Sequence, residues 1–167
     1  MHTPREIAQQ PATWQMTYRV FEKHRSEIDD FLFSVGIWDK VERRPTVLLI
    51  GAGTSDYIGQ SLVHVLRRQW QCEVAAVPST DLLTHIDDYV IPRHRYLWIS
   101  FSRSGDSSEG VALLRQAAER FPDIRHIVIS CNSDGQMIRG TARQKNLLSV
   151  CLEDAVNDRG LAMTSSF

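Results

Sequence analysis

The sequence predicts an α/β protein, a three-layer α/β/α sandwich built on a five-stranded parallel sheet. Five apolar runs follow one another after residue 45, and segments of helical periodicity separate them. The runs are almost continuously apolar, which is typical of strands covered on both faces. Small-residue turns join strands to the helices that follow, so a ligand is expected at the carboxyl ends of the strands.

Each element of this prediction has its own pattern. The predicted strands are Val47–Ile50, Val74–Val77, Tyr96–Ser100, Ile127–Ser130 and Leu147–Leu152. The predicted helices that connect them are Tyr57–Trp70, Thr80–His85, Ser107–Arg120 and Gln136–Arg143. We expect residues 41–167 to form this sheet domain and residues 1–40 to form a helical segment before it.

N-terminal helices are expected ahead of the sheet. Pro4 at a first helical position predicts a short helix to about Gln10, which Pro11 should end. A long amphipathic helix should then run from Thr13 to about Phe33. Three of its apolar residues are candidates either for a dimer interface or for the buried core: Trp14, Tyr18 and Phe21.

Composition narrows the function classes. Among 167 residues, 19 basic side chains stand against 20 acidic ones, which argues against a nucleic-acid partner and favours a small ligand. No apolar run reaches the roughly 18 residues that would indicate a membrane span, and the N-terminus lacks a signal-peptide pattern. We therefore expect a cytoplasmic protein without a membrane partner. The three cysteines are widely spaced, so we expect reduced, packed thiols and neither a disulfide nor a metal site.

The first candidate site is the turn Gly51-Ala52-Gly53-Thr54-Ser55-Asp56, between the first predicted strand and its helix. Its glycines allow a close backbone approach to a ligand, and Thr54 and Ser55 add hydroxyl groups at the helix start. The turn lacks the third glycine of the dinucleotide fingerprint. The alternative interpretation is that Thr54 or Ser55 caps the helix.

The second candidate site is Ser102-Arg103-Ser104-Gly105-Asp106-Ser107, which follows the third predicted strand. A helix N-terminus offers unpaired N–H groups and the positive end of a dipole, and this turn adds three serine hydroxyls. Asp106 or Ser107 could instead serve only as a cap. Because two such turns share one edge of the sheet, they predict a phosphate pocket.

The two turns together resemble the sugar isomerase (SIS) domain family, whose hallmark turns are G-x-G-x-S or G-T-S and S-x-S-G-x-[ST]. The resemblance covers residue 41 to the end of the chain. The N-terminal run E-I-A-Q-Q-P-A-T-W, the S-F-S-R-S-G turn and the closing L-A-M-T-S-S-F make it most similar to the AgaS group. That group comprises tagatose-6-phosphate ketose/aldose isomerases and galactosamine-6-phosphate deaminase/isomerases. The resemblance implies a flavodoxin-like fold.

The resemblance also implies site residues. It assigns the phosphate to Ser102, Ser104 and Ser107, where glucosamine-6-phosphate synthase has the corresponding hydroxyls of S-Q-S-G-E-T. Arg103 stands at the Gln of that motif and is expected either to contact phosphate or to pair with Glu109 or another acid. The residues expected beside the sugar are Gly53, Thr54, Ser55, Leu161, Ala162 and Met163. No cofactor is implied.

These residues favour a phosphosugar-binding domain of an aldose–ketose isomerase or deaminase acting on amino-sugar or ketose 6-phosphates. The alternative is a non-catalytic module that senses a sugar phosphate. Isomerisation requires a general base near C2 of the sugar, and no residue of the chain matches the family's base. We expect an N-terminal SIS domain whose last helix is cut short and which lacks a second SIS domain, and we expect it to pair as a homodimer.

Overall fold

The computed structural model describes residues 2–140, 144–160 and 163–167 and shows one five-stranded sheet in which every neighbouring pair is parallel. The strands are β1 (Thr46–Gly51), β2 (Val74–Pro78), β3 (Tyr96–Ser102), β4 (Arg125–Ser130) and β5 (Leu147–Cys151). Their order in the sheet is β2-β1-β3-β4-β5. This order is that of the flavodoxin-like doubly wound fold, so the predicted fold class is confirmed.

Helices cover both faces of the sheet. They are α1 (Thr3–Val35), α2 (Thr54–Trp70), α3 (Ser79–Thr84), α4 (Ile86–Tyr89), α5 (Ser108–Arg120) and α6 (Gln136–Arg139), with single 3₁₀ turns at Val41–Arg43 and Asp154–Val156. Each predicted helix after residue 50 is present. The predicted extension of the last one to Arg143 falls on residues 141–143, which lie outside the described residues.

The core follows from strand periodicity, because successive side chains of a strand point to opposite faces. Leu49 of β1 is fully buried in a cluster that includes Leu32 of α1. Its neighbour Leu48 belongs to a second cluster, which includes Leu113 of α5. The near-continuous apolar runs therefore encode a sheet that is buried on both sides.

Helix α1 corrects the prediction of two N-terminal helices. It is one helix of 33 residues that runs through Pro11. A proline inside a helix removes one backbone hydrogen bond, here the one to the carbonyl of Ile7. Beyond the proline, the hydroxyl of Thr13 donates to the carbonyl of Gln10 at 3.0 Å. The side chains of Gln9 and Gln10 also donate to residues near the C-terminus. The contacts of Gln9 and Gln10 hold the segment before the proline against the C-terminal part of the chain.

The buried-core alternative for three aromatic residues of α1 is wrong. Trp14 is 58% exposed, Tyr18 62% and Phe21 41%. The ring centroids of Tyr18 and Phe21 lie 6.3 Å apart, so the rings form one continuous apolar patch. No helix of the described residues is long and apolar enough to cross a membrane.

The three thiols of Cys72, Cys131 and Cys151 are free. Burial raises the pKa of Cys131 to about 12, and nearby Cys151 and Asp158 add to this effect while Arg103 opposes it. Burial also raises the pKa of Cys72 and of Cys151. These thiols therefore stay protonated at neutral pH and are poor nucleophiles.

We expect the stability of the fold to decrease in acid because of His126 of β4. It is 2% exposed and packs edge-on against Trp98 of β3. Burial lowers its pKa from 6.5 to about 4. Between these values the unfolded chain holds the proton and the folded chain does not, so stability should fall as the pH drops from 6.5 to 4. The expected slope is at most about 1.4 kcal/mol per pH unit.

Urea unfolding measured from pH 7 to pH 4 checks this expectation. The His126→Phe variant should lose this part of the pH dependence, because it keeps an aromatic ring against Trp98 and cannot take up a proton. The exposed His85 supplies the control, since His85→Phe should leave the slope as it is in the parent chain. An identical slope in His126→Phe and the parent would contradict the assignment.

Candidate functional site

The two predicted turns lie side by side because β1 and β3 are neighbours in the sheet. At the end of β1, a Cβ added to Gly51 would lie 2.4 Å from the carbonyl carbon of Ser55. Only glycine permits this approach of the strand end to the first turn of α2. Gly53 then occupies the N-cap position of α2 with a φ of 55°.

The capping alternative for the first turn is wrong. The N-terminus of α2 has no side-chain hydrogen bond that caps it. The Ser55 hydroxyl instead lies 3.9 Å from the sulfur of Met163. The first N–H groups of a 17-residue helix therefore lack a side-chain cap at the carboxyl edge of the sheet.

The second turn is shaped by its own serines. The Ser102 hydroxyl accepts a hydrogen bond from the Gly105 N–H at 3.1 Å. The Ser104 hydroxyl accepts one from the Asp106 N–H at 3.2 Å. Ser107 occupies the N-cap position of α5, yet its side chain makes no capping bond. Both hydroxyls that shape the turn keep their O–H donors for another partner.

Asp106 does cap a helix, although not the one that follows it. Its Oδ1 accepts a hydrogen bond from the Gln136 N–H at 2.9 Å, at the start of α6. A negative charge at a helix N-terminus is favourable. The carboxylate of Asp106 is therefore engaged at the start of α6.

A close glycine pair holds the second turn against the loop before α6. Gly105 has a φ of 65°, and a Cβ added to Gly135 would lie 2.7 Å from its Cα. The Gly105 carbonyl accepts a hydrogen bond from the Met137 N–H at 2.9 Å. No local pattern of residues indicates that a glycine thirty positions away contacts this turn.

Among the described residues, Arg103 forms no ion pair with Glu109 or with another acid. Its Nη1 donates to the carbonyl oxygen of Gly160 at 2.8 Å. Glu109 instead accepts a hydrogen bond from the neighbouring Ser108 hydroxyl at 2.9 Å. The alternative of an Arg103–Glu109 pair is therefore wrong, and the guanidinium is oriented by the C-terminal part of the chain.

That part, residues 157–160 and 163–166, is called the C-terminal loop here. Asp158 organises it, because its Oδ2 accepts hydrogen bonds from the N–H groups of Thr164 at 2.7 Å and Ser166 at 3.0 Å. Burial would raise the pKa of Asp158, but these bonds and those of the serine hydroxyls lower it overall. Residues 163–167 form a turn where a last, shortened helix was expected; residues 161 and 162 lie outside the described residues.

A small cavity lies between the two turns and the C-terminal loop. Its volume is about 140 Å³, and we call it the serine cavity. It is lined by Ala52, Ser55, Phe101, Ser102, Arg103, Ser104, Ser107 and Met163. The cavity thus brings together six of the predicted site residues, while Gly53 and Thr54 are not in its lining and Leu161 and Ala162 lie outside the described residues.

The electrostatics of the serine cavity favour an anion. Its lining holds four serine hydroxyls and the guanidinium of Arg103, and no carboxylate among the described residues. Hydroxyls, backbone N–H groups and arginine are the donors that bind phosphate. A larger cavity of about 380 Å³ lies between α5 and α6, away from the strand ends, and has no comparable cluster of hydroxyls.

Sequence reasoning missed the residues of α1 that reach this region. Glu6 accepts hydrogen bonds at Oε1 from the N–H groups of Arg159 at 2.8 Å and Gly160 at 3.1 Å. Gln10 donates to the carbonyl of Thr164 at 2.8 Å. In the sequence, Glu6 reads as an ordinary acidic residue in the first turn of a helix, so its pattern could not indicate a partner more than 150 positions away.

Known proteins are similar to this chain in sequence. The chain is 40% identical over 169 residues to the AgaS protein of Streptomyces coelicolor, and 35% identical over 164 residues to D-galactosamine-6-phosphate deaminase AgaS of Escherichia coli. These alignments cover 100% and 98% of this chain but 42% of either relative. The chain thus spans less than half the length of these relatives. No protein-family model matches it.

A solved structure shows a matching likeness in fold. The crystal structure of tagatose-6-phosphate ketose/aldose isomerase from Escherichia coli superimposes with a TM-score of 0.89 at 35% identity. The superposition covers 97% of this chain and 43% of that structure. Over the 42–43% of these proteins that it spans, the chain is similar to the AgaS group in both sequence and fold, and these likenesses fit an SIS domain of that group.

Proposed function

We propose that the chain binds a sugar 6-phosphate and forms the phosphosugar-binding domain of an aldose–ketose isomerase or amino-sugar-phosphate deaminase. The serine cavity carries this proposal, because it places four hydroxyls and one guanidinium beside two helix N-termini without side-chain caps. The names of the relatives, a galactosamine-6-phosphate deaminase and a tagatose-6-phosphate isomerase, support this class of substrate.

We assign the phosphate to Ser102, Ser104 and Ser107, with the N-terminus of α5 as the positive end of a dipole. Ser55 and Met163 line the opposite part of the cavity and are proposed to contact the sugar. Gly53, Thr54, Leu161 and Ala162 are proposed as further sugar contacts, because they lie within two positions of these lining residues.

The reaction requires a base that moves a proton between C1 and C2 of the open sugar through an enediol. For a 2-amino sugar, hydrolysis of the resulting imine then releases ammonia. The lining of the serine cavity contains no His, Asp, Glu or Lys among the described residues. We therefore propose that the base comes from a second domain or a neighbouring subunit.

Calorimetric titration with galactosamine 6-phosphate and tagatose 6-phosphate, with an ammonia assay on the same sample, tests this function. Binding accompanied by ammonia release would show a complete active site and contradict our placement of the base. Binding without turnover favours a phosphate-anchoring domain, and it also keeps the alternative of a sugar-phosphate sensor. If neither compound binds, the proposed function is wrong.

A single hydroxyl tests the position of the phosphate. Ser107→Ala should weaken binding of galactosamine 6-phosphate about tenfold or more, because a hydrogen bond to a charged group contributes about 1.5–3 kcal/mol. Ser104→Ala should have a similar effect. The thermal midpoint of Ser107→Ala should hardly change, since Ser107 makes no capping bond that the substitution would remove.

The matched control for both variants is Ser108→Ala. Ser108 is the next residue, but its exposed hydroxyl bonds to Glu109 and is absent from the cavity lining. Calorimetry should show the parental affinity for this variant. An unchanged affinity in Ser107→Ala and Ser104→Ala would place the phosphate elsewhere.

We propose that the chain pairs as a homodimer through the exposed aromatic patch of α1, formed by Trp14, Tyr18 and Phe21. Exposed apolar patches commonly mark protein interfaces. Sedimentation analysis should therefore find a dimer, which Tyr18→Glu should shift towards monomer by about tenfold or more in dissociation constant. Lys23→Glu is the control on the same helix and should stay dimeric, whereas a monomeric parent chain would refute the proposal.

We further propose that the chain acts in the cytosol, where thiols remain reduced. Its three free cysteines support this location. Cell fractionation of the native protein, followed by alkylation of free thiols, would test it.

A further inference from the structure

We propose that Glu6 of helix α1 is a positioning residue of the serine cavity, which acts through Gly160 to orient Arg103. This inference rests on the proposed function, because it assumes that the cavity binds a phosphate. It adds a residue from the start of the chain to a site built from the carboxyl ends of the strands.

The burial of Glu6 is the first step of the argument. Glu6 is only 7% exposed, whereas the other acidic residues of α1 lie at the surface. Among the described residues it forms no ion pair with any arginine, lysine or histidine. A buried carboxylate is costly unless it is hydrogen-bonded, and its two donors are the backbone N–H groups of Arg159 and Gly160.

The second step is that Gly160 is bonded on both sides. Its N–H donates to Glu6 Oε1 at 3.1 Å, and its carbonyl oxygen accepts from Arg103 Nη1 at 2.8 Å. One residue thus connects the carboxylate of α1 to the guanidinium in the cavity. A displacement of Gly160 would move the acceptor that holds Arg103.

The third step is that the rest of the C-terminal loop is fixed independently. The backbone carbonyl of Glu6 accepts a hydrogen bond from the Ser165 hydroxyl at 2.8 Å. Asp158 binds the N–H groups of Thr164 and Ser166. The Glu6 carboxylate therefore governs the position of residues 159–160, while other contacts keep the loop in place around them.

The fourth step concerns what Arg103 supplies. It is the only basic side chain among the described residues that line the serine cavity. One N–H of its guanidinium is engaged by Gly160, and the fork of an arginine has further N–H groups to offer an anion. An arginine that is already oriented loses less freedom when the anion binds. Glu6 thus favours binding because it helps to hold Arg103 in its orientation before the anion binds.

A double-mutant cycle on phosphosugar affinity tests the inference. The variants are Glu6→Gln, Arg103→Ala and both together, and calorimetry measures the dissociation constant of galactosamine 6-phosphate for each. Glu6→Gln keeps the size of the side chain but removes its charge, and it should weaken binding about tenfold. Because both residues act along one path, the double variant should bind no worse than Arg103→Ala alone, within about twofold.

A control separates this role from a general effect of charge on α1. Glu22→Gln is the matched change on the exposed part of the same helix, where Glu22 forms an ion pair with Arg25 at 3.5 Å. It should bind the sugar phosphate with the parental dissociation constant. Hydrogen exchange of the Arg159 and Gly160 amides gives a second readout, and their protection should decrease in Glu6→Gln while that of the strand amides is retained.

The outcomes distinguish this inference from the function on which it rests. If the parent chain fails to bind galactosamine 6-phosphate, the proposed function falls and the inference falls with it. If the parent chain binds and Glu6→Gln binds equally well, only the inference is overturned. Additive losses in the double variant would likewise overturn it, because a merely structural effect of Glu6 would not depend on Arg103.

Discussion

Replacing Gly51 with alanine should unfold the first turn and abolish binding of the sugar phosphate. The new Cβ would lie 2.4–2.6 Å from three backbone atoms of Ser55 and Asp56. Because backbone atoms cannot move out of the way as a flexible side chain can, the start of α2 would have to move away from the end of β1. We expect a loss of about 4 kcal/mol or more in the free energy of unfolding.

Urea denaturation, with binding measured in the same preparation, checks this expectation. The control is Gly53→Ala, two residues away in the same turn. A Cβ on Gly53 would have no atom within 4 Å, so only the strain of its φ of 55° remains. That strain costs about 1–3 kcal/mol. The prediction fails if Gly51→Ala is as stable as Gly53→Ala.

The second large effect should come from Gly135→Ala, although Gly135 lies outside both turns. A Cβ on Gly135 would lie 2.7 Å from the Cα of Gly105 and 2.9 Å from the carbonyl carbon and the carbonyl oxygen of Gly105. The second turn would have to separate from the loop before α6, and Ser104 and Ser107 would move with it. We expect a loss of about 3 kcal/mol in stability and at least about a hundredfold loss in affinity, since the bonds proposed from Ser104 and Ser107 to the phosphate both depend on the turn.

Stability and affinity should be measured together on this variant. Ser133→Ala is the matched control, because it changes an exposed residue of the same loop. It should leave both quantities near their parental values. Parental affinity in Gly135→Ala would show that the second turn does not depend on its contact with this glycine.

Much of the fold could be predicted from local pattern. The strands are nearly continuous apolar runs, and each of the five predicted runs overlaps an observed strand. The helix through Pro11 could not be predicted, because it depends on contacts with residues 155–165. Likewise, the exposure of Trp14 and Tyr18 depends on which side of α1 faces the sheet.

For the candidate site, the sequence identified the serine turns but not what holds them in place. Ser102, Ser104 and Ser107 are recognisable because hydroxyls that gather between a strand and a helix form a local motif. The capping alternatives could be decided only once the side-chain partners were known. Asp106 proved to cap α6 rather than its own helix, through a contact 30 residues away.

By itself the sequence determined the alternation of strands and helices and the serine-rich turns, because apolar periodicity and turn chemistry are set by neighbouring residues. Only the tertiary structure decided that Arg103 bonds to Gly160, that Gly135 supports Gly105 and that Glu6 is buried beneath the C-terminal loop. The physical reason is that these contacts join segments far apart in the chain. Their partners depend on how the layers pack, and no local pattern of residues specifies that packing.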